Sequence, residues 1–401
     1  MPMELLAPAG GPEQLKAAVR FGADAVYLAG PRWGMRARAH NFDDEALGEA
    51  VAFAHAQGVA VHLTLNTLMY DKDIDKLPAY LRLVDALGVD AAIVADLGAL
   101  ALVRAHAPHV AVHVSTQASV TNAVAAKAYV DMGASRLVLA REMTLTQIAE
   151  LRRRLGSEVE LETFAHGAMC MAVSGRCLLS SALVGPERSA SCGNCTQPCR
   201  WTWSLVEETR PNLPLPLEAD ERGSYLLSAN DLCMLEHLDV LGEAGVDAIK
   251  IEGRNKGAYY VAAVTNAYRH VLDGDDPQEW LGELEATSHR PFSTGFFYGN
   301  PTQNPGHAEY ARDRLLVAVV NRCEPVGGGW LVEVTCRNKA RTGDELCVLS
   351  PRHPVRRCVL GPVERLLPEE GWVAAPNLSV NMERYRFVAP FALGTGDMLC
   401  V

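Results

Sequence analysis

The sequence predicts an α/β fold, a TIM-like (β/α)8 barrel followed by a small C-terminal β-barrel domain. Three observations carry that expectation. A helix-to-strand unit recurs in FGADAVYLAG from Phe21, LGVDAAIVAD from Leu87, MGASRLVLAR from Met132 and AGVDAIKIEG from Ala244. Each copy runs from a glycine suited to ending a helix, through a polar turn, into a short apolar strand. Filling the gaps between copies gives eight strand candidates in roughly 250 residues, the usual size of such a barrel. Beyond residue 313 the pattern changes to short strands with no helices between them.

In chain order the strand candidates are residues 4–7, 25–29, 60–66, 91–95, 111–115, 137–140, 158–164 and 248–252. Segments of helical periodicity such as FDDEALGEAVAFAHAQG and LTQIAELRRRLG separate them. Buried parallel strands alternating with helices also suit an open doubly wound sheet, which is the alternative architecture. In a barrel, ligands sit at the carboxyl ends of the strands. The residues just past each strand are therefore the candidates: Pro8, Ala9 and Gly10, Gly30, Asn66, Asp96, Ser115 and Gln117, Arg141 and Glu142, His166, and Glu252 and Arg254.

With 49% hydrophobic and 21% charged residues in 401, the chain can bury a full core. No apolar run approaches the roughly 20 residues needed to span a bilayer. The start, MPMELLAPAGGPEQ, lacks the basic and apolar regions of a signal peptide, so a cytoplasmic location is expected. The net charge of -11 is uneven. Residues 1–313 hold 26 basic and 39 acidic residues, net -13, and residues 314–401 hold 11 and 9, net +2.

Five of the eleven cysteines fall within thirty residues: Cys170, Cys177, Cys192, Cys195 and Cys199. In a reducing compartment so dense a cluster points to a metal or to redox chemistry rather than to disulfides. Thiolate sulfur suits iron-sulfur clusters and zinc. Zinc sites favour pairs separated by two to four residues, and in the series Cys170, Cys177, Cys195 and Cys199 only the last pair meets that spacing, so zinc fits less comfortably than an irregularly wrapped iron-sulfur cluster, with both still open. Cys192 and Cys233 stand as alternative ligands, Cys233 also reading as a buried apolar residue on the helix before the eighth strand. The segment, about 167–225, directly follows the seventh strand and far exceeds the usual connection of 2 to 6 residues, so it should flank the barrel mouth. Cys323, Cys336, Cys347, Cys358 and Cys400 alternate with apolar residues and read as core packing.

ELLAPAG, GADAVYLAG, HVSTQASVTN, FAHGAMCMAVSGRCLLSS with NCTQPCRWTW, and IKIEGRNKGAYYVAAV occur here in the order that resembles the collagenase-like peptidase family. Its bacterial branches include tRNA, rRNA and ubiquinone hydroxylation proteins, and the short β-rich tail resembles the prephenate-dependent tRNA branch. The resemblance implies a 4Fe-4S cluster on Cys170, Cys177, Cys195 and Cys199. It implies oxygen-independent hydroxylation of wobble uridine in tRNA to 5-hydroxyuridine, with prephenate as hydroxyl source and co-substrate. An electron donor or protein partner fits the same reading, as does a role as an accessory protein for ubiquinone or rRNA hydroxylation. An anionic donor of this kind calls for guanidinium forks, which Arg141 and Arg254 could supply unless they pair with Glu142 or Glu252. His166 suits proton transfer, or a hydrogen bond beside the cluster.

A peptidase is the competing reading. No His-Glu-x-x-His helix and no G-x-S-x-G elbow occurs, and the thiol nearest His166 is Cys170, which the metal needs. Residues 286–313, rich in turn formers, read as a linker. In residues 314–401, Arg337, Lys339, Arg341, Arg352, Arg356 and Arg357 are the expected phosphate contacts.

Overall fold

The computed structural model describes residues 3–35, 39–170, 177, 179–190, 193–201, 204–205, 209, 215–216, 219–220, 223–224, 229–299, 314–351 and 353–401. Seven parallel strands follow one another: β1 (Glu4–Pro8), β2 (Ala25–Leu28), β3 (Ala60–Leu65), β4 (Ala91–Val94), β5 (Ala111–Val114), β6 (Arg136–Val138) and β7 (Glu160–Ala168). After a short strand β8 (Asp231–Cys233), strand β9 (Ala248–Ile251) pairs with both β7 and β1 and closes the barrel. Closure decides against the open doubly wound sheet.

The helices begin where side chains can satisfy their free backbone N–H groups. Asp43 caps α2 (Asp44–His55), Asp96 caps α5 (Leu97–His106) and Asn122 caps α6 (Ala123–Asp131). Thr144 and Gln147 form a reciprocal capping box at α7 (Leu145–Leu155). Helices α1 (Pro12–Arg20) and α10 (Ala258–Leu272) lie side by side over the closing strands.

Two features lie outside the eight-strand expectation. β8 runs antiparallel to β7, so Cys233 sits on a strand and not on a helix. Strand β10 (Phe292–Ser293) then pairs with β8 in parallel. The start of the expected linker is thereby part of the sheet, pinned by a buried ion pair between Arg290 Nη2 and Asp231 Oδ1 at 2.6 Å. Residues 300–313 lie outside the described residues.

The tail is an eight-stranded antiparallel sheet with its own core of Val317, Val332, Val334, Leu346, Tyr385, Phe387 and their neighbours. Cys336 and Cys358 are buried in it, while Cys323 and Cys347 are partly covered. The sheet docks on the outside of the barrel. Arg20 of α1 pairs with Asp397 at 2.5 Å, Arg337 with Glu13 at 2.8 Å, and Glu283 of α11 (Pro277–Glu285) accepts the Val355 N–H at 3.1 Å. Leu349, Met398 and Cys400 join the barrel's own hydrophobic cluster.

Candidate active site

Barrel interiors are usually packed with branched apolar side chains. This one carries a column of charge. Arg136 on β6 pairs with Glu4 at 2.6 Å, Glu160 at 2.7 Å and Glu162 at 3.3 Å, and Lys250 on β9 pairs with Glu162 at 2.8 Å. Strand alternation explains the grouping, since 160 and 162 share one face of β7. Burial alone would raise the Glu162 carboxyl, but Lys250 and Arg136 outweigh it and hold it below the ordinary range. Lys250 is lowered, chiefly by burial, against the pull of Glu162. His62 and His113 meet edge to face at 4.7 Å beside this column. Burial brings His62 down to about 4 and His113 well below its usual value, so both rings are neutral at pH 7.

Above the column a pocket opens at the carboxyl ends of the strands. Tyr27, Thr64, Asn66, Ser115, Gln117, Arg141, Phe164, Lys250, Glu252 and Arg254 line it. Six of the sequence candidates are therefore brought together: Asn66, Ser115, Gln117, Arg141, Glu252 and Arg254. Arg141 donates to Glu252 at 3.1 Å and to the Ala168 carbonyl at 3.0 Å, with its guanidinium 3.8 Å from the Phe164 ring centroid. Arg254, only 3% exposed, donates to Thr64 Oγ1 at 2.8 Å and to Asn41 Oδ1 at 2.9 Å. Asn66 donates to Ser115 Oγ at 3.2 Å. The ion pair of Arg141 is with Glu252, as one of the sequence alternatives had it.

The other candidates lie outside this lining. Asp96 is occupied as the cap of α5. Gly10 packs so closely on the 254 backbone that a Cβ there would collide with the Arg254 carbonyl oxygen. Pro8, Ala9, Gly30 and Glu142 do not line the pocket. Nor does His166. The β7–β9 register shifts between Lys250 and Ile251, pairing Phe164 with Lys250 and His166 with Ile251. Phe164 keeps the pocket face, and the irregularity sets His166 among Tyr260, Tyr268 and Phe292 instead. Burial, aided by His289 and Lys256, lowers this imidazole to about 3. A proton carrier working near neutrality does not fit that environment. Lys250 and Tyr27 are lining residues that sequence reasoning missed. The signal was a lone lysine on the inward face of the strand AIKI.

Cys170 lies two residues past β7, Cys177 two before α8 (Leu179–Val184), and Cys195 and Cys199 around the turn Pro198–Arg200. Ser180 Oγ accepts the Thr196 N–H at 3.0 Å and ties these stretches together. Cys177 Sγ accepts the Leu179 N–H at 3.4 Å and Cys195 Sγ the Gln197 N–H at 3.2 Å. Amide donors of this kind suit thiolate ligands, and four sulfurs in one segment suit a soft metal. Among the described residues no three ligating side chains converge, so this structure does not draw the four into one shell. Cys192 lies outside the described residues. Cys233 has its thiol pushed up to about 11 by burial and sits 4.0 Å from the Tyr268 hydroxyl, the setting of a protonated core thiol.

Of the tail cations, Arg337 is committed to Glu13 and Arg357 to Glu345 at 2.8 Å. Arg356 lies 4.1 Å from the Phe391 ring centroid, Lys339 and Arg341 are exposed, and Arg352 lies outside the described residues.

A closed (β/α)8 barrel with a cation-bearing polar mouth, and a sulfur-rich segment leaving its seventh strand beside it, defines a barrel protein built to act on a ligand at that mouth. The chain belongs to Peptidase family U32, whose family model matches residues 10–306. It is 37% identical over 360 residues to tRNA hydroxylation protein P1 of Bacillus subtilis, covering 87% of this chain and 83% of that protein. It is 31% identical over 399 residues to tRNA hydroxylation protein P of Escherichia coli, covering 87% and 86%. It is also 40% identical over 364 residues to an uncharacterized protease of Methanocaldococcus jannaschii, covering 86% of each. No helix among the described residues is long and apolar enough to cross a membrane.

Proposed function

We propose that this chain is an oxygen-independent tRNA hydroxylase that forms 5-hydroxyuridine at the wobble position, with prephenate as the hydroxyl source. The observation that carries the reading is the pairing of Arg141 and Arg254 with amide side chains in one mouth. The names of the two tRNA hydroxylation relatives supply the substrate. The guanidiniums offer forks for a dicarboxylate. Asn66 and Gln117 offer amide donors and acceptors for a base edge. Glu252 orients Arg141 through their 3.1 Å contact.

Cys170, Cys177, Cys195 and Cys199 would hold a 4Fe-4S cluster, which supplies one-electron transfer or a structural clasp beside the mouth. The work proceeds in the cytoplasm with tRNA and a redox or protein partner, since replacing C5–H by C5–OH withdraws two electrons that an acceptor must take. Lys339, Arg341 and Arg356 on the tail contact RNA phosphates.

The peptidase reading has less support, although two relatives carry names of that kind, an uncharacterized protease and a collagenase. Among the described residues the mouth is lined by Ser115, Thr64 and Thr116 but by no histidine or cysteine of the kind that activates a hydroxyl or acts as a thiol nucleophile.

The test is the nucleoside content of tRNA from a strain lacking the gene, read by mass spectrometry. Loss of 5-hydroxyuridine derivatives, restored by the wild-type gene, is expected. An unchanged profile refutes the proposal. Purified protein with undermodified tRNA and prephenate, without other proteins, separates an enzyme from an accessory subunit.

A further inference from the structure

One lining group has no part in the reading above. Lys250 reaches the floor of the mouth from β9, only 4% exposed, with its Nζ 2.8 Å from Glu162 Oε1 and 4.5 Å from the Tyr27 ring centroid. Tyr27 is fixed as a wall by the hydrogen bond its hydroxyl donates to the Ile251 carbonyl at 2.8 Å. Arg136 holds Glu162 from below. An amine kept at the base of a small cleft, beside a carboxylate and under two guanidiniums, matches a ligand bearing a carbonyl next to a carboxylate. Lysines stripped of water in this way are the ones that form Schiff bases.

We propose that Lys250 is a carbonyl-reactive amine that forms a reversible imine with a 2-oxo carboxylate bound in the barrel mouth. The ammonium first gives a proton to Glu162 along their existing contact. The Nζ lone pair then attacks the carbonyl carbon, and the C=O π pair moves to oxygen. One of the two remaining N–H protons and the one held by Glu162 leave with that oxygen as water, while the other N–H proton stays on nitrogen. Ketone and ammonium thus become a protonated imine, facing the restored Glu162 carboxylate, and water, with no change in oxidation state. Arg141 receives the carboxylate, and Phe164, Ile93 and Val138 face the apolar body of the ligand. The lowered proton affinity of Lys250 agrees with this role, while Glu162 and the Tyr27 ring oppose deprotonation until the ligand arrives. The inference rests on the mouth being the ligand site, as in the reading above, and not on tRNA being the substrate.

The experiment incubates the full-length protein with phenylpyruvate and cyanoborohydride, then reads intact mass and peptide masses. The expected result is one adduct per chain, heavier by the ligand less one oxygen atom, on the peptide containing Lys250. Lys250→Arg keeps a cation for Glu162 but cannot form an imine, so its adduct should fall at least tenfold at unchanged melting temperature. Glu162→Gln should slow adduct formation about 100-fold, the scale of one proton-transfer group. Absence of an adduct in the wild type, or equal labelling of the Lys250→Arg variant, overturns the proposal. An adduct at Lys250 with normal tRNA nucleosides in the deletion strain would sink the tRNA reading alone. Altered nucleosides with no adduct would sink the imine alone.

Discussion

Arg141→Ala is the most direct probe of the mouth. The substitution removes a 3.1 Å bond to Glu252, a 3.0 Å bond to the Ala168 carbonyl and the contact with the Phe164 ring. A charge-assisted bond to a bound carboxylate is worth about 1.5 to 3 kcal/mol. At 1.4 kcal/mol per decade, affinity for prephenate should weaken roughly 10- to 150-fold. The Glu252 carboxylate, freed from its partner, adds repulsion, so the Arg141→Ala/Glu252→Gln pair should recover part of the loss. Arg141→Lys keeps the charge without the planar fork and should fall between the two. Anaerobic titration calorimetry measures the constants, and iron content and melting temperature serve as controls. Arg254 is less informative here because its bonds to Thr64 and Asn41 make it part of the frame. An Arg141→Ala protein that binds prephenate as tightly as the wild type would refute the assignment.

Protein purified without oxygen should carry about four iron and four sulfide per chain. Cys199→Ala should lose them and Cys233→Ala keep them, and stoichiometric zinc without iron would overturn the cluster. Arg290→Ala leaves Asp231 buried without its partner and should cost about 3 to 5 kcal/mol in urea unfolding. A loss under about 1 kcal/mol would show that the pair does not anchor β10. Glu283 is raised to about 7, chiefly by burial at the barrel–tail contact. The folded state therefore holds its proton to higher pH than the unfolded chain does. Stability from this group is full below pH 4.5 and is lost as pH rises toward 7, by about 3 kcal/mol. Glu283→Gln should flatten that slope, and a slope unchanged by the substitution would refute the linkage.

The eight barrel strands were legible because each lies buried between helices and so reads as a short apolar run after a helix-ending glycine. The strand-end rule then found Asn66, Ser115, Gln117, Arg141, Glu252 and Arg254, whose places follow from where strands stop. His166 was misplaced because a one-residue irregularity in β7 changes the face a side chain presents, and nothing local in TFAHGA announces it. Lys250 was passed over because it stands inside a strand, where its meaning depends on Glu162 and Arg136 from two other strands. β10 was hidden for a similar reason: the bond that makes it a strand joins Arg290 to Asp231, far away in sequence. The tail's charge balance predicted exposed cations, whereas pairing with Glu13 and Glu345 is a matter of three-dimensional neighbours.

The tail does not sit at an arbitrary place on the barrel. Its bonds run to Glu13 and Arg20 on α1, to Asn266 and His270 on α10 and to Glu283 on α11. Helices α1 and α10 flank β1 and β9, the seam where the first and last staves of the cylinder meet. A ring of strands breathes most easily at the joint between its two chain ends, because no covalent connection crosses it there. The tail thus acts as a hasp across that joint, so that opening the cylinder at its seam also requires lifting the sheet away. Access to the buried side chains of Arg136, Glu162 and Lys250 through the wall is thereby tied to the fate of a domain docked on the outside of the barrel.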